Sequence, residues 1–135
     1  RRNHPSVEVL LPRQRAMTTK LRCLLQVLIG DDTRAAAVVG MDGSVVETVV
    51  KGRDSDLSKV GTDLAALLKV GAYCMRKLEG GDLDYLTLTT DSLALLVVAM
   101  GPQHYLATVL DAGGNIARAR LQIRRRRSEI TEHLT

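Results

Sequence analysis

An α+β fold, with helices on both faces of a mainly antiparallel sheet, follows from three observations. Three segments carry apolar residues at helical period and five shorter ones read as strands, in the order helix, two strands, helix, three strands, helix. All but one of the neighbouring strand pairs are joined by two to four residues, which permits only antiparallel hairpins. Two strands, LALLVVAM and YLATVL, are apolar at nearly every position, as strands covered on both faces are.

The 135 residues are one domain's length, with 45% hydrophobic and 25% charged residues as in an ordinary globular protein. Such a chain buries about two thirds of its unfolded surface, enough for a core without staples. Residues 1–13, with Pro5 and Pro12 and no clear period, read as a flexible or loosely docked segment, and 14–135 as the domain.

The first helix rests on Met17, Leu21, Leu24, Leu25 and Leu28, and Gly30-Asp31-Asp32 closes it. Strands follow over 35–41 and 44–50, separated by Asp42-Gly43. An aspartate beside a glycine also occurs in phosphate and metal loops, but between valine-rich runs the pair makes a hairpin corner. The central helix spans about 55–78, with Val60, Leu64, Leu67, Leu68, Gly71, Met75 and Leu78 forming a stripe, Asp54 or Ser55 as cap and Gly80-Gly81 as stop. Strands are then expected over 83–90, 93–100 and 105–110. The first of these alternates Leu86 and Leu88 with Thr87 and Thr89, the pattern of an edge strand. An unpaired strand of this kind is an association site unless something covers it, and a twofold-related copy is the simplest cover. The last helix, after Gly113-Gly114, has a weaker stripe of Ile116, Ala119, Ile123, Ile130 and Leu134.

Phe and Trp are absent and the aromatic residues are Tyr73, Tyr85 and Tyr105, so bases would find no stacking platform and a nucleic-acid partner is disfavoured. Cys23 and Cys74 sit inside apolar helical patterns and are expected as buried free thiols in a reducing cytoplasm. No apolar run reaches the roughly 18 residues of a membrane span, and the amino-terminal apolar stretch is too short for a secretion signal. A soluble cytoplasmic protein is expected, and the Ala-, Arg-, Val- and Leu-rich composition with little Lys or Asn is bacterial in character.

The sequence contains no G-x-x-x-x-G-K-[ST], G-x-S-x-G or H-E-x-x-H, and His4, His104 and His133 are far apart. No catalytic residue, cofactor or metal is assigned, and the protein is expected not to be an enzyme. Asp82 and Asp84 share one face of a strand start and would suit a cation, but without a third ligand they read as solvated charges fencing an edge. Gly80-Gly81 reads as a helix stop before a phosphate cradle, since no helix start follows it.

Charge is unevenly spread. Residues 1–34 carry seven Lys or Arg against three acids, 115–135 six against two, and 35–114 six against ten. Arg118, Arg120, Arg124, Arg125, Arg126 and Arg127 form a candidate patch for an anionic partner, with a merely solubilising helix surface as the alternative.

Three stretches together, AAAVVGMDGSVVET, VGTDLAALLKVGAYCMRKL and LDYLTLTTDSLALLVVAMGPQHYLATVLDAGGNIARAR, resemble a roadblock domain. This is the dynein light-chain relative also found as bacterial and archaeal partners of small GTPases. The turns at 42–43 and 113–115 match that family's glycine corners, and the resemblance spans roughly 14–134. It implies a roadblock/profilin-like α/β sandwich, with a five-stranded antiparallel sheet, the central helix on one face and the terminal helices on the other.

It also implies a homodimer in which the third strand and the central helix meet their copies, giving an interface of Leu64, Leu68, Gly71, Tyr73, Met75, Tyr85, Leu86 and Leu88. Tyr73 and Tyr85 read equally well as ordinary residues at the core's edge. The function it implies is a non-catalytic homodimeric regulator or scaffold that engages a Ras-like small GTPase. Two alternatives stand beside it: a structural light chain or adaptor of a larger complex without nucleotide dependence, and a basic-helix module that binds an anionic surface.

Overall fold

The computed structural model describes residues 12–52 and 56–134, with side chains from residue 20 onward. Most of the expected amino-terminal segment, His4, and both expected caps, Asp54 and Ser55, therefore lie outside the described residues. Helix α1 (Pro12–Leu28) begins with a proline, whose fixed φ and missing N–H suit a first helical turn. Strands β1 (Thr33–Gly40) and β2 (Val45–Val50) form the first hairpin. A 3₁₀ turn (Leu57–Val60) then leads directly into helix α2 (Gly61–Lys77). Strands β3 (Tyr85–Thr89), β4 (Leu93–Ala99) and β5 (His104–Asp111) make a meander that ends in helix α3 (Ile116–Glu132).

The sheet has the order β2-β1-β5-β4-β3, antiparallel throughout. The two hairpin units are joined where β5 lies beside β1, from Ala35 opposite Val109 to Gly40 opposite His104. This leaves β3 at one edge, as its Leu-Thr alternation predicted, and β2 at the other. The β2 edge is irregular, because the register shifts between Val38 and Val39, opposite Glu47 and Val45 respectively, and Val46 bulges between them.

Side chains alternate across the central strands. Ala36 and Val38 of β1, Leu106 and Leu110 of β5, and Leu96 of β4 meet Leu21, Leu25, Ile123 and Ile130 of the terminal helices. On the opposite face Ala35, Ala37, Val39, Tyr105, Ala107 and Val97 meet Leu57, Leu64, Ala65 and Leu68. The central helix thus covers one face and the terminal helices the other, the sandwich that the resemblance implied.

Asp42-Gly43 forms a corner. Asp42 Oδ1 accepts hydrogen bonds from Ser44 N (3.0 Å) and Ser44 Oγ (2.6 Å), and these bonds hold its carboxyl below the ordinary carboxylate value. Gly43 has φ +91°, and a Cβ there would lie 2.2 Å from Thr62 Oγ1. The turn is therefore folded down onto the start of α2. On the same side the Tyr105 hydroxyl, fully buried, donates to Gly61 O at 2.6 Å. The α2 start is also later than expected, since Asp56, through Oδ1, caps the 3₁₀ turn by accepting from Ser58 N.

The corner can be probed by substitution. Gly43→Ala should lower stability by more than about 1 kcal/mol through left-handed strain and the clash with Thr62, and by more than Gly52→Ala, which shares the left-handed φ but whose Cβ would meet open space. Asp42→Asn should leave the melting temperature unchanged, since an Asn side-chain oxygen accepts the same two bonds; urea and thermal melts of the three variants check this.

Burial, helped by the charge of Asp63, pushes the Tyr105 phenol from 10.0 up to about 12. The unfolded chain therefore loses this proton first as pH rises, so the stabilisation is intact below pH 10 and drains away between 10 and about 12. Tyr105→Phe should cost about 1–2 kcal/mol at neutral pH and flatten the alkaline limb of stability measured against pH.

Candidate functional site

Helix α2 is apolar around most of its circumference, and the sheet takes only part of it. Leu64 (3% exposed) and Leu68 (4%) are buried against the sheet, with Ala65 beside them. Gly71 lets the helix sit close, since a Cβ there would lie 3.3 Å from Leu83 Cδ2 and 3.8 Å from Leu86 Cδ1. The outward side carries Leu67, Val70 (60%), Tyr73, Cys74 and Leu78 (74%). At 100° per residue, Leu67, Cys74 and Leu78 fall on one flank of the helix and Val70 next to them. Helix-end charge is favourable, with Arg76 and Lys77 in the last turn.

Beside this helix lies the β3 edge. Leu86 packs toward the α2-side core and Leu88, on the same face of the strand, is exposed. Among the described residues β3 pairs with β4 alone, so its outer backbone groups have no neighbouring strand there. A free backbone edge thus stands near an exposed apolar helix face. Both are elements that make contacts rather than move protons.

Several expected site residues are placed otherwise. Leu64 and Leu68, assigned to a subunit interface, are consumed by the protomer's own core, and Gly71 and Met75 are half-buried on the same inner side. Leu67 and Leu78 of the expected stripe face outward instead, together with Val70 and Cys74, which the stripe left out. The signal was present: Val70, Tyr73 and Cys74 add a second stripe at i, i+3, i+4.

Tyr85 points to the other face of the sheet. The Arg120 guanidinium lies 4.5 Å from the Tyr85 ring centroid and donates through Nη1 to the phenol oxygen at 3.0 Å. Tyr73 is exposed, with Lys77 Nζ at 5.3 Å from its ring. Cys23 and Cys74 are both exposed, not buried, because each falls on the outward phase of its helix.

The arginine run is divided. Arg127 donates to Ala99 O (2.8 Å) and pairs with Asp84 (3.3 Å), while Arg126 bonds Gln122 through both its carbonyl and its side chain. Arg120 is held by Tyr85, leaving Arg118, Arg124 and Arg125 as exposed cations. Asp84 is thereby an ion-pair partner for α3, and among the described residues no group of three or more His, Cys, Asp or Glu is placed to hold a metal. No helix among the described residues is long and apolar enough to cross a membrane.

No family model matches the chain, and no curated protein matches it. Solved structures do. A Roadblock/LC7 domain from Streptomyces avermitilis superposes with a TM-score of 0.73 at 18% identity, over 84% of this chain and 96% of that one. The chain has the roadblock fold. The same roadblock architecture appears in an MglB solved in a tetrameric arrangement, with TM-score 0.80, 16% identity and coverage of 97% and 96%. It appears again in the gliding protein MglB of Thermus thermophilus, with TM-score 0.76, 16% identity and 97% of each chain.

Within this fold the link between β3 and α3 is open to measurement. Arg120→Ala removes a stacked, hydrogen-bonded guanidinium and should cost about 1 kcal/mol in urea denaturation, whereas Arg124→Ala should change stability by less than about 0.5 kcal/mol.

Proposed function

We propose that the chain is a homodimeric, non-catalytic regulator or scaffold that engages a Ras-like small GTPase in the bacterial cytoplasm. One observation carries the reading: β3, unpaired on its outer side among the described residues, exposes Leu88 on the face of the sheet that α2 covers, and α2 itself exposes Leu67 and Val70, with Leu78 at its C-cap. Surface of this kind asks for a partner, and a second copy of the same strand and helix satisfies edge and apolar face together. The roadblock fold supports it, as does the tetrameric arrangement of the similar MglB, where copies of that fold associate. Paired central helices would then offer one shape-defined twofold surface to a GTPase. The nucleotide site belongs to that partner, and this chain contributes recognition.

Light scattering at about 50 μM should return a dimer, and a monomer mass at that concentration removes the dimer from the reading. Leu88→Lys and Val70→Lys should each weaken association by more than about tenfold, and Asp82→Ala should not. Capture of purified Ras-like GTPases loaded with GDP or a GTP analogue should depend on the nucleotide. Capture that ignores the nucleotide favours the structural light-chain reading instead.

A further inference from the structure

The opposite flank of α2 carries a second surface, built differently. Between this flank and the turns at one end of the sheet lies a groove of about 490 Å³. Met41, Leu68, Leu83 and Pro102 make its apolar walls. Lys69, Ala72 and Arg76 line it from the helix, at i, i+3 and i+7. That spacing puts two cations about 10 Å apart along one side of the helix, with a methyl group between them. Ala72 is what leaves the floor open, since a longer side chain there would occupy it.

The charges around the groove are lopsided. Lys69, Arg76 and Arg127 line it against a single acid, Asp82. Arg127 is already steadied by Asp84 and by Ala99 O. Lys69 and Arg76 are different, because among the described residues neither has an acidic partner. They also lie about 200° around the helix from Leu67 and Leu78, so the groove is separate from the apolar face beside β3.

We propose that this groove receives an acidic amphipathic helix from a partner protein. Two carboxylates seven residues apart would engage Lys69 and Arg76, and an apolar side chain between them would enter at Ala72. The match is one of period: an α-helix repeats a face every seven residues, the same rise that separates Lys69 from Arg76. Carboxylates on a guanidinium and an ammonium supply directional, charge-assisted bonds, while the apolar walls take the central side chain. The proposal does not depend on the partner proposed above for the other face.

The test uses a fluorescein-labelled synthetic peptide of an Ala- and Gln-rich helical sequence, with Glu at two positions seven apart and Leu at the third and fourth positions between. A twin carries Gln for both Glu. Anisotropy titrations with the whole chain should show the Glu peptide binding at least about tenfold more tightly than its twin. Lys69→Glu with Arg76→Glu should abolish that preference, and Ala72→Leu, which fills the floor and keeps every charge, should weaken the Glu peptide by about fivefold or more. Arg124→Gln with Arg125→Gln, on the other face of the sheet, should leave it unchanged. Equal binding of the two peptides, no binding at all, or a loss in the Arg124 and Arg125 variant as large as in the Lys69 and Arg76 variant would overturn the proposal. Should Ala72→Leu fail to fold by circular dichroism, the exposed Lys69 and Arg76 pair decides alone.

Discussion

Everything in this molecule is arranged around the pairing of β1 with β5. The chain's two halves, a helix with a hairpin and a meander with a helix, share no hairpin, and β5 joins them by lying along β1. Both strands are then interior to the sheet and buried on both faces, which obliges them to be apolar at nearly every position. The side chains that meet this demand are small. Ala35, Ala36, Ala37 and Ala107 are all fully buried, so helices can approach the sheet closely from either side. Tyr105 is the largest fully buried side chain, and its hydroxyl reaches Gly61 O where α2 begins. A chain without Phe or Trp thus spends its one buried aromatic residue at the junction of sheet, hairpin corner and central helix.

Much of this was legible in the chain. The strand runs were visible because doubly covered strands are continuously apolar, and β3 stood out because it alternates. The hairpin corner at Asp42-Gly43 was visible because only glycine enters its left-handed turn without strain. The strand order was not legible in the same way: no local signal in YLATVL says that it pairs with AAAVVG across 64 intervening residues. The resemblance to roadblock domains supplied the layering that local pattern left open.

The phase of α2 was the other loss. A helix with apolar residues around most of its girth satisfies several stripes equally well, and the sequence does not mark which stripe meets its own sheet. Leu64 and Leu68 were assigned to a subunit interface; they lie against the protomer's own sheet, while Leu67, Val70 and Leu78 are exposed. The arginine run was legible only in part, for a related reason. Helical spacing shows where a cation projects, but not that Tyr85 and Asp84 wait opposite Arg120 and Arg127. Pairing of distant groups is a property of tertiary structure, and composition reports only that both are present.

The bulge at Val46 has a consequence for how large an assembly can become. A flat sheet with two regular borders is a template at both ends, and each added copy regenerates the site for the next, which is the geometry of a fibre. Here the two borders are unlike. The β3 side pairs with β4 in unbroken register and, among the described residues, has no strand beyond it, whereas the β2 side loses its register at Val38 and Val39. A molecule with a single usable border can be joined there once, after which only blunted borders face the solvent. Growth of the sheet ends by geometry, without any need to bury or charge the remaining edge.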